Sequence, residues 1–127
     1  MEVTPRGGGN RLAEMLRYAT GVDMITAAVR AAVGDSVDGI EQKPYNGCWA
    51  EIILHATVGG ELENVCILPP MISCVVEKDF WYKKGDRINA FVSARDAIGT
   101  LVLRFQTSEE MEKAITHQAE WLSVKVM

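Results

Sequence analysis

The first third of the chain carries apolar side chains at the spacing of two short amphipathic helices. One helix is predicted from about Arg11, with Asn10 as its N-cap and Gly21 as its stop. A second is predicted from Asp23, which is a favourable cap, to Gly34. The side chains expected to face inward are Leu12, Met15, Leu16 and Ala19 in the first helix, and Ile25, Val29 and Ala32 or Val33 in the second. Two helices joined so closely form a helical hairpin.

Beyond residue 47 the pattern changes from helical spacing to short runs rich in β-branched and aromatic residues. Residues 35–47 between the two patterns are polar and contain Gly and Pro, which predicts a linker. Strands are predicted at 49–56, 62–68, 71–76, 87–92, 100–105 and 123–127, while 79–82 is left uncertain. We expect the tight turn at 58–61 to join the first two strands as a hairpin, and Pro69-Pro70 to interrupt the sheet.

The sequence TSEE at 107–110 matches a capping box and predicts the start of a last helix. Its inward side chains are expected to be Met111, Ala114, Ile115, Ala119 and Leu122. The fold class is therefore α+β, with an N-terminal helical hairpin followed by an antiparallel sheet and a covering C-terminal helix. We predict a division into residues 1–34 and residues 35–127.

Composition excludes several classes of protein. The chain has 127 residues with a formal net charge of −4, and no basic stripe of the kind that nucleic-acid binding needs. No apolar run approaches the ~18 residues of a membrane span. The cysteines, Cys48, Cys66 and Cys74, are odd in number and lie in apolar runs, which favours free buried thiols in a reducing cytoplasm. The tryptophans are expected to pack in the sheet and core, because no basic groove accompanies them.

The segment EVTPRGGGN at 2–10 is the best candidate for chemistry. The Glu2 carboxylate at a strand end is a suitable ligand for Mg²⁺, and the Arg6 guanidinium is suited to a phosphate or carboxylate. The glycines at 7–9 let backbone N–H groups approach an anion, and the helix that follows Asn10 adds a favourable dipole. The alternative from these residues alone is a flexible segment whose glycines have no ligand.

The stretch EVTPRGGGNRLAEMLRYATGVDMI resembles the ATP-grasp ligases, in particular the L-amino-acid ligase and carbamoyl-phosphate-synthetase-like branch. That family carries Glu-x-Asn-x-Arg at a strand end, followed by a glycine-rich loop and a helix. The stretch from Tyr82 to Val126 is also similar to the C-terminal domain of those ligases. One position departs from the pattern, because Thr4 stands where the family has Asn, and a hydroxyl is a poorer Mg²⁺ ligand than an amide oxygen.

The resemblance implies roles for individual residues. Glu2 would bind Mg²⁺, with Thr4 in doubt as a second metal contact, and Arg6 would contact the transferred phosphate or the acyl-phosphate intermediate. Gly8, Gly9 and Asn10 would form the phosphate- and substrate-binding edge.

The resemblance also implies a reaction and partners. ATP would phosphorylate a small carboxylate, and an amine would then attack the acyl phosphate. The family's other ATP-binding parts lie upstream, so the expected partner is an N-terminal ATP-grasp lobe, and the chain alone is expected to be inactive and to bind ATP and Mg²⁺ poorly. The alternative is a non-catalytic C-terminal module that packs or dimerises. We expect a homo-oligomer in the cytoplasm, with no nucleic acid or membrane as partner.

Three further positions have a plain structural interpretation. His55 lies in an alternating run and is expected to be satisfied by a backbone carbonyl, while His117 should lie on the solvated face of the last helix. Arg95-Asp96 at a predicted hairpin tip is expected to be an ordinary turn.

Overall fold

The structure, a computed structural model, describes residues 9–127, and both predicted N-terminal helices are present. Helix α1 spans Leu12–Thr20 and ends at Gly21, whose left-handed backbone (φ 74°) lets its N–H donate to the Arg17 carbonyl. Helix α2 spans Met24–Ala32, and the Asp23 side chain accepts the Thr26 N–H at 2.9 Å. The predicted stop of the first helix and the predicted cap of the second are thus confirmed.

The start of α1 differs from the prediction. Asn10 has a left-handed backbone (φ 56°) and is not the N-cap. The cap position belongs to Arg11, which makes no side-chain capping bond. Its backbone N–H instead donates to Glu51 Oε1 at 2.8 Å, so a carboxylate from a distant strand replaces the local cap.

Within residues 9–127, six strands form two antiparallel sheets of three strands each. They are β1 Cys48–Leu54, β2 Gly60–Ile67, β3 Val75–Phe80, β4 Arg87–Ile88, β5 Gly99–Phe105 and β6 Leu122–Val126. The strand orders are β1-β5-β3 and β4-β2-β6. Helices α3 (Ser108–Thr116) and α4 (Gln118–Trp121) connect β5 to β6. The predicted α+β class with antiparallel sheets and a C-terminal helix is confirmed.

The predicted hairpin between the strands at 49–56 and 62–68 is wrong. β1 pairs with β5 along its whole length, whereas β2 pairs with β4 and β6. The physical reason lies in β5, whose residues are buried on both faces apart from the half-buried Arg104. A strand that is apolar on both faces gains most at the centre of a sheet, so it separates β1 from β2 in the pairing.

The predicted strand at 71–76 is also wrong in most of its length. Met71–Cys74 form a 3-10 turn, and the strand β3 begins only at Val75 and continues through the region left uncertain. Pro70 cannot donate to a ladder, and Ser73 closes the turn by donating its N–H and its hydroxyl to the Pro70 carbonyl. The predicted strand at 87–92 is reduced to β4.

The core lies between the two sheets and beneath α3. Leu54, Leu101 and Leu103 are its most deeply buried leucines, and Trp121 closes one end. The predicted capping box is present, since Thr107 Oγ1 accepts the Glu110 N–H at 3.2 Å and the Glu110 carboxylate accepts the Thr107 N–H.

Two predicted inward residues of the last helix are wrong. Met111 and Ala114 pack against the core, but Ile115 and Ala119 are exposed. The helix is broken at His117, and α4 begins a new turn there, so the helical spacing does not continue across the break. Leu122 is buried as predicted, although as the first residue of β6.

Helix α2 has no buried residue, which corrects the predicted inward face. Ile25, Val29 and Val33 are 49%, 59% and 70% exposed. The reason is that the neighbouring helix α1 packs against β1 and contributes the buried residues of the hairpin, Ala19 and Thr20. The predicted division at residue 34 stays a prediction. The three cysteines are free, as predicted, but half-buried.

Candidate functional site

Most of the predicted site precedes the described residues. Glu2, Thr4, Arg6 and Gly8 lie outside the range 9–127 that the structure describes, so their predicted roles stay predictions. Gly9 and Asn10 are described, are exposed, and lie directly before α1. The candidate site therefore comprises Gly9 and Asn10, at the end of the glycine segment (residues 7–9), and the first turn of α1.

Gly9 lies in open space. A Cβ built at this position would meet no atom of the described residues within 4 Å, and its φ does not fall in the left-handed region. Neither packing nor backbone strain in the described part of the chain therefore requires glycine here. An uncovered backbone of this kind is compatible with the close approach of an anion.

Arg11 is the centre of a charged cluster that sequence analysis missed. Its Nη1 donates to Asp79 Oδ2 at 2.7 Å, and its Nη2 pairs with the Glu77 carboxylate. Its Nε lies 3.3 Å from Glu14 Oε1 without hydrogen-bond geometry, and its backbone N–H donates to Glu51. A single residue thus links the start of α1 to β1 and β3. We name Arg11, Glu14, Glu51, Glu77 and Asp79 the Arg11 cluster.

The two β3 carboxylates of the Arg11 cluster, Glu77 and Asp79, are each bound by a second donor. The Tyr18 hydroxyl donates to Glu77 Oε2 at 2.7 Å, and Trp81 Nε1 donates to Asp79 Oδ2 at 3.1 Å. The Trp81 hydrogen bond, together with the Arg11 guanidinium, lowers the pKa of Asp79 below its usual 3.8. Asp79 therefore stays ionised near neutral pH and keeps its interaction with Arg11.

An aromatic stack fastens the second half of α1 to β1. The rings of Tyr18 and Trp49 are nearly parallel, with centroids 5.7 Å apart and planes 8° apart. Arg17 lies over the Tyr18 ring at 5.5 Å, and Arg104 lies over Trp49 at 5.9 Å. The ring stack therefore joins α1 to β1, while Arg17 contacts Tyr18 within α1 and Arg104 contacts Trp49 from the paired strand β5. The predicted packing function of Trp49 agrees with this arrangement.

The helix end is less available to an anion than the sequence suggested. An open helix N-terminus binds anions through its free N–H groups and its dipole. Here the Glu51 carboxylate already accepts the Arg11 N–H, and Glu14 adds a second negative charge in the first turn. Any phosphate bound at this edge would therefore have to use backbone groups that precede Arg11.

The chemistry of the described residues does not form a metal centre. Among residues 9–127, no three His, Cys, Asp or Glu side chains are grouped so that they would hold a metal ion. The Glu77 and Asp79 carboxylates bind the Arg11 guanidinium instead, and the Glu51 carboxylate accepts the Arg11 backbone N–H. Glu2 and Thr4 thus remain the residues predicted to hold Mg²⁺. In the same described part of the chain, no helix is both long enough and apolar enough to cross a bilayer.

The histidines agree with their plain interpretations. His55 Nδ1 lies 3.3 Å from the Ile53 carbonyl, and His117 Nδ1 lies 2.9 Å from the Lys113 carbonyl. Both rings are exposed. Arg95 and Asp96 lie in a 3-10 turn as an ordinary turn would, but the predicted hairpin around them is wrong, because β4 and β5 belong to different sheets. Asp96 accepts the N–H groups of Val92 and Ser93, and these bonds lower the pKa of its carboxyl, so it closes a turn.

In its fold the chain is similar to two solved structures. It overlays the crystal structure of phosphoribosylglycinamide synthetase from Anaerococcus prevotii with a TM-score of 0.74 and 18% identity, covering 98% of this chain and 32% of that chain. It overlays L-amino acid ligase from Bacillus licheniformis with a TM-score of 0.70 and 13% identity, covering 91% and 29%. No family model and no curated protein matches the sequence.

These overlays confirm the resemblance to the ATP-grasp ligases at the level of the fold. The chain spans about a third of the length of the solved structures it matches. An architecture of helical hairpin, two antiparallel sheets and C-terminal helix is therefore shared with part of a ligase.

Proposed function

We propose that this chain forms one part of an ATP-dependent carboxylate–amine ligase that acts through an acyl phosphate. The observation that carries the proposal is the overlay of 98% of the chain on about a third of a synthetase. The EVTPRGGGN segment, directly before α1, supports it, because its residue types suit a metal and phosphate edge.

The proposed roles are distributed over the segment at 2–10. Glu2 binds Mg²⁺, which would neutralise phosphate charge, and Thr4 offers a weaker second metal contact. Arg6 holds the transferred phosphate or the tetrahedral intermediate. Gly8, Gly9 and Asn10 contribute backbone donors.

Two described features support these roles. Among residues 9–127, no atom lies within 4 Å of a Cβ built at Gly9, which leaves room there for a ligand. Arg11 is bound by carboxylates, which leaves Arg6 as the arginine of the RGGGNR sequence proposed to meet phosphate.

The 127-residue chain alone is expected to have no ATP hydrolysis or ligase activity. It spans only about a third of the ligases it resembles in fold, and positioning both phosphate and nucleophile requires groups from the remaining parts. A steady-state phosphate-release assay with ATP and Mg²⁺ on the purified chain tests this expectation. Turnover above background that is lost in Arg6→Ala would contradict it, and heat-treated protein provides the blank.

A second candidate function is a non-catalytic module that packs or dimerises through α2. The specific observation in its favour is the exposed apolar face formed by Ile25, Val29 and Val33. Apolar patches of more than a few hundred Å² usually mark an interaction surface. This surface would bind a second copy of the chain or the remaining lobe of a ligase.

We expect the isolated chain to self-associate through α2. Val29→Glu should weaken the dimer by about tenfold or more, because burying a valine contributes roughly 1.5–3 kcal/mol and a buried charge adds a penalty. Sedimentation velocity over a concentration series measures the effect. Val92→Glu is the matched control, since Val92 is 87% exposed and lies far from α2 in the sequence. A monomer at every concentration would rule out dimerisation by this chain.

A further inference from the structure

We propose that Arg11 is a positioning residue for the backbone of Gly9 and Asn10. It would hold the first turn of α1 on the sheet and so set where the backbone N–H groups of Gly9 and Asn10 point. The inference rests on the proposed function for its chemical meaning. The interactions that carry it belong entirely to described residues.

Two strands and a helix meet at Arg11. Its partners Glu51, Glu77 and Asp79 lie 40, 66 and 68 residues away in the sequence. They belong to β1 and β3, while Glu14 lies on α1 itself. The main chain and the guanidinium of one residue are thus bound to two strands at once. An exposed ion pair on one helix would not fix the helix start in this way.

A β-bulge brings the acidic residues to the correct face. Val75 lies opposite Leu103, but Glu77 lies opposite Val102, so the pairing shifts by one residue at Val76. Directly opposed residues share a face of the sheet. Val75 therefore faces the core with Leu103, whereas Glu77 faces the α1 side with Val102.

Without the bulge the same strand would point its acidic residues into the core. Side chains alternate between the two faces, so Glu77 and Asp79 would share the face of Val75. The one-residue shift reverses this, and it places both carboxylates within reach of Arg11. The bulge is therefore the local feature that makes the Arg11 cluster possible.

The charge of the Arg11 cluster bears on anion binding. Three carboxylates lie against the guanidinium and a fourth, that of Glu51, accepts the Arg11 backbone N–H, so Arg11 is engaged and is not free to serve as a phosphate ligand. Loss of Arg11 would leave those carboxylates uncompensated beside the glycine segment. The helix start would be released, and the local field would become more repulsive to an anion. Both effects weaken phosphate binding.

The substitutions Arg11→Lys and Arg11→Met distinguish the effect of the guanidinium's shape from the effect of its positive charge. A lysine keeps the charge but cannot span Glu77 and Asp79 with a planar fork of donors. If geometry matters, Arg11→Lys and Arg11→Met should release the helix start alike, whereas only Arg11→Met removes the positive charge. Arg17→Met is the matched control, because the Arg17 side chain lies 3.8 Å from Asp23 and over the Tyr18 ring, and both of these contacts stay within the helical hairpin.

The first measurement is amide hydrogen exchange on the 127-residue chain. We expect the amides of Arg11 and Met15, which donate to Glu51 and to the Arg11 carbonyl, to exchange about tenfold faster in Arg11→Lys and Arg11→Met, with α3 and the Arg17→Met control unchanged. Asp79→Asn, which removes one partner and keeps the shape, should show the same local effect, and it replaces the Arg11 variants if they fail to fold. Acceleration spread evenly over the chain, or none at Arg11 and Met15, would overturn the positioning role.

The second measurement separates this inference from the proposed function. Inorganic phosphate is titrated against the amide signals of Gly9 and Asn10, and we expect about tenfold weaker binding in Arg11→Met than in the Arg17→Met control. If the unsubstituted chain shows no phosphate response, the anion-binding edge loses its support, and hydrogen exchange alone decides the positioning role. If phosphate binds equally well to Arg11→Met, the positioning role is overturned, but the anion-binding edge keeps its support.

Discussion

Leu101→Ala is expected to lower the free energy of unfolding by about 2–5 kcal/mol, because it leaves a cavity at the centre of the core. Leu101 is completely buried, and it lies on β5 between β1 and β3. The sheet continues on both sides of it, which limits how far the surroundings can collapse into the space. Urea unfolding followed by circular dichroism measures the loss as a shift in midpoint at constant slope.

Leu68→Ala provides the matched control for that substitution. The chemical change is the same, but Leu68 is 52% exposed at the end of β2. Its truncation should cost about 1 kcal/mol or less, since much of its surface already contacts water. Equal losses at both positions would contradict the central placement of β5.

The helices of this fold are predictable from sequence, but the strand pairing is not. Gly21 and Asp23 act locally, through a left-handed backbone and a side-chain cap, so their effect can be recognised from neighbouring residues. Pairing depends on which strand is buried on both faces, and the TLVLRF run of β5 resembles the other apolar runs until its partners are known. A short loop at 58–61 therefore suggested a hairpin that the central position of β5 prevents.

The Arg11 cluster was missed for a related reason. Its three strand carboxylates lie 40 to 68 residues from Arg11, and no local motif connects them to it. The alternation of Glu77 and Asp79 along β3, with Trp81 directly after it, is the signal that a polar strand face exists. The bulge at Val76 then decides which way that face points, and a bulge is set by packing on both sides of the sheet.

The proposed metal and phosphate edge at residues 2–10 also combines a local pattern with contacts from distant residues. Glu2, Arg6 and the glycines form a compact local pattern, which is why sequence suggested their chemistry directly. The arrangement that supports the pattern comes from elsewhere in the chain. The Glu51 carboxylate accepts the Arg11 N–H at the start of α1. The helix dipole is therefore less available to a phosphate than the sequence alone predicts.

Arg6→Lys in a complete ligase is expected to lower kcat by about a hundredfold to a thousandfold while leaving the fold intact. Lysine keeps the charge but lacks the planar pair of donors that would hold a phosphate or oxyanion in one orientation. Loss of one aligned donor that acts mainly in the transition state typically costs ~3–4 kcal/mol. Steady-state kinetics with saturating substrates measures the loss, and circular dichroism checks the fold.

Glu2→Gln in the same ligase should differ in kind, because the interaction it removes is ion binding. It would weaken the apparent affinity for Mg²⁺, and added metal should partly restore activity. A Mg²⁺ titration of both variants therefore separates the two roles. Restoration of Arg6→Lys but not of Glu2→Gln would mean that the roles are reversed. Thr4→Asn provides a further comparison, since an amide oxygen at that position should tighten metal binding if Thr4 lies beside the ion.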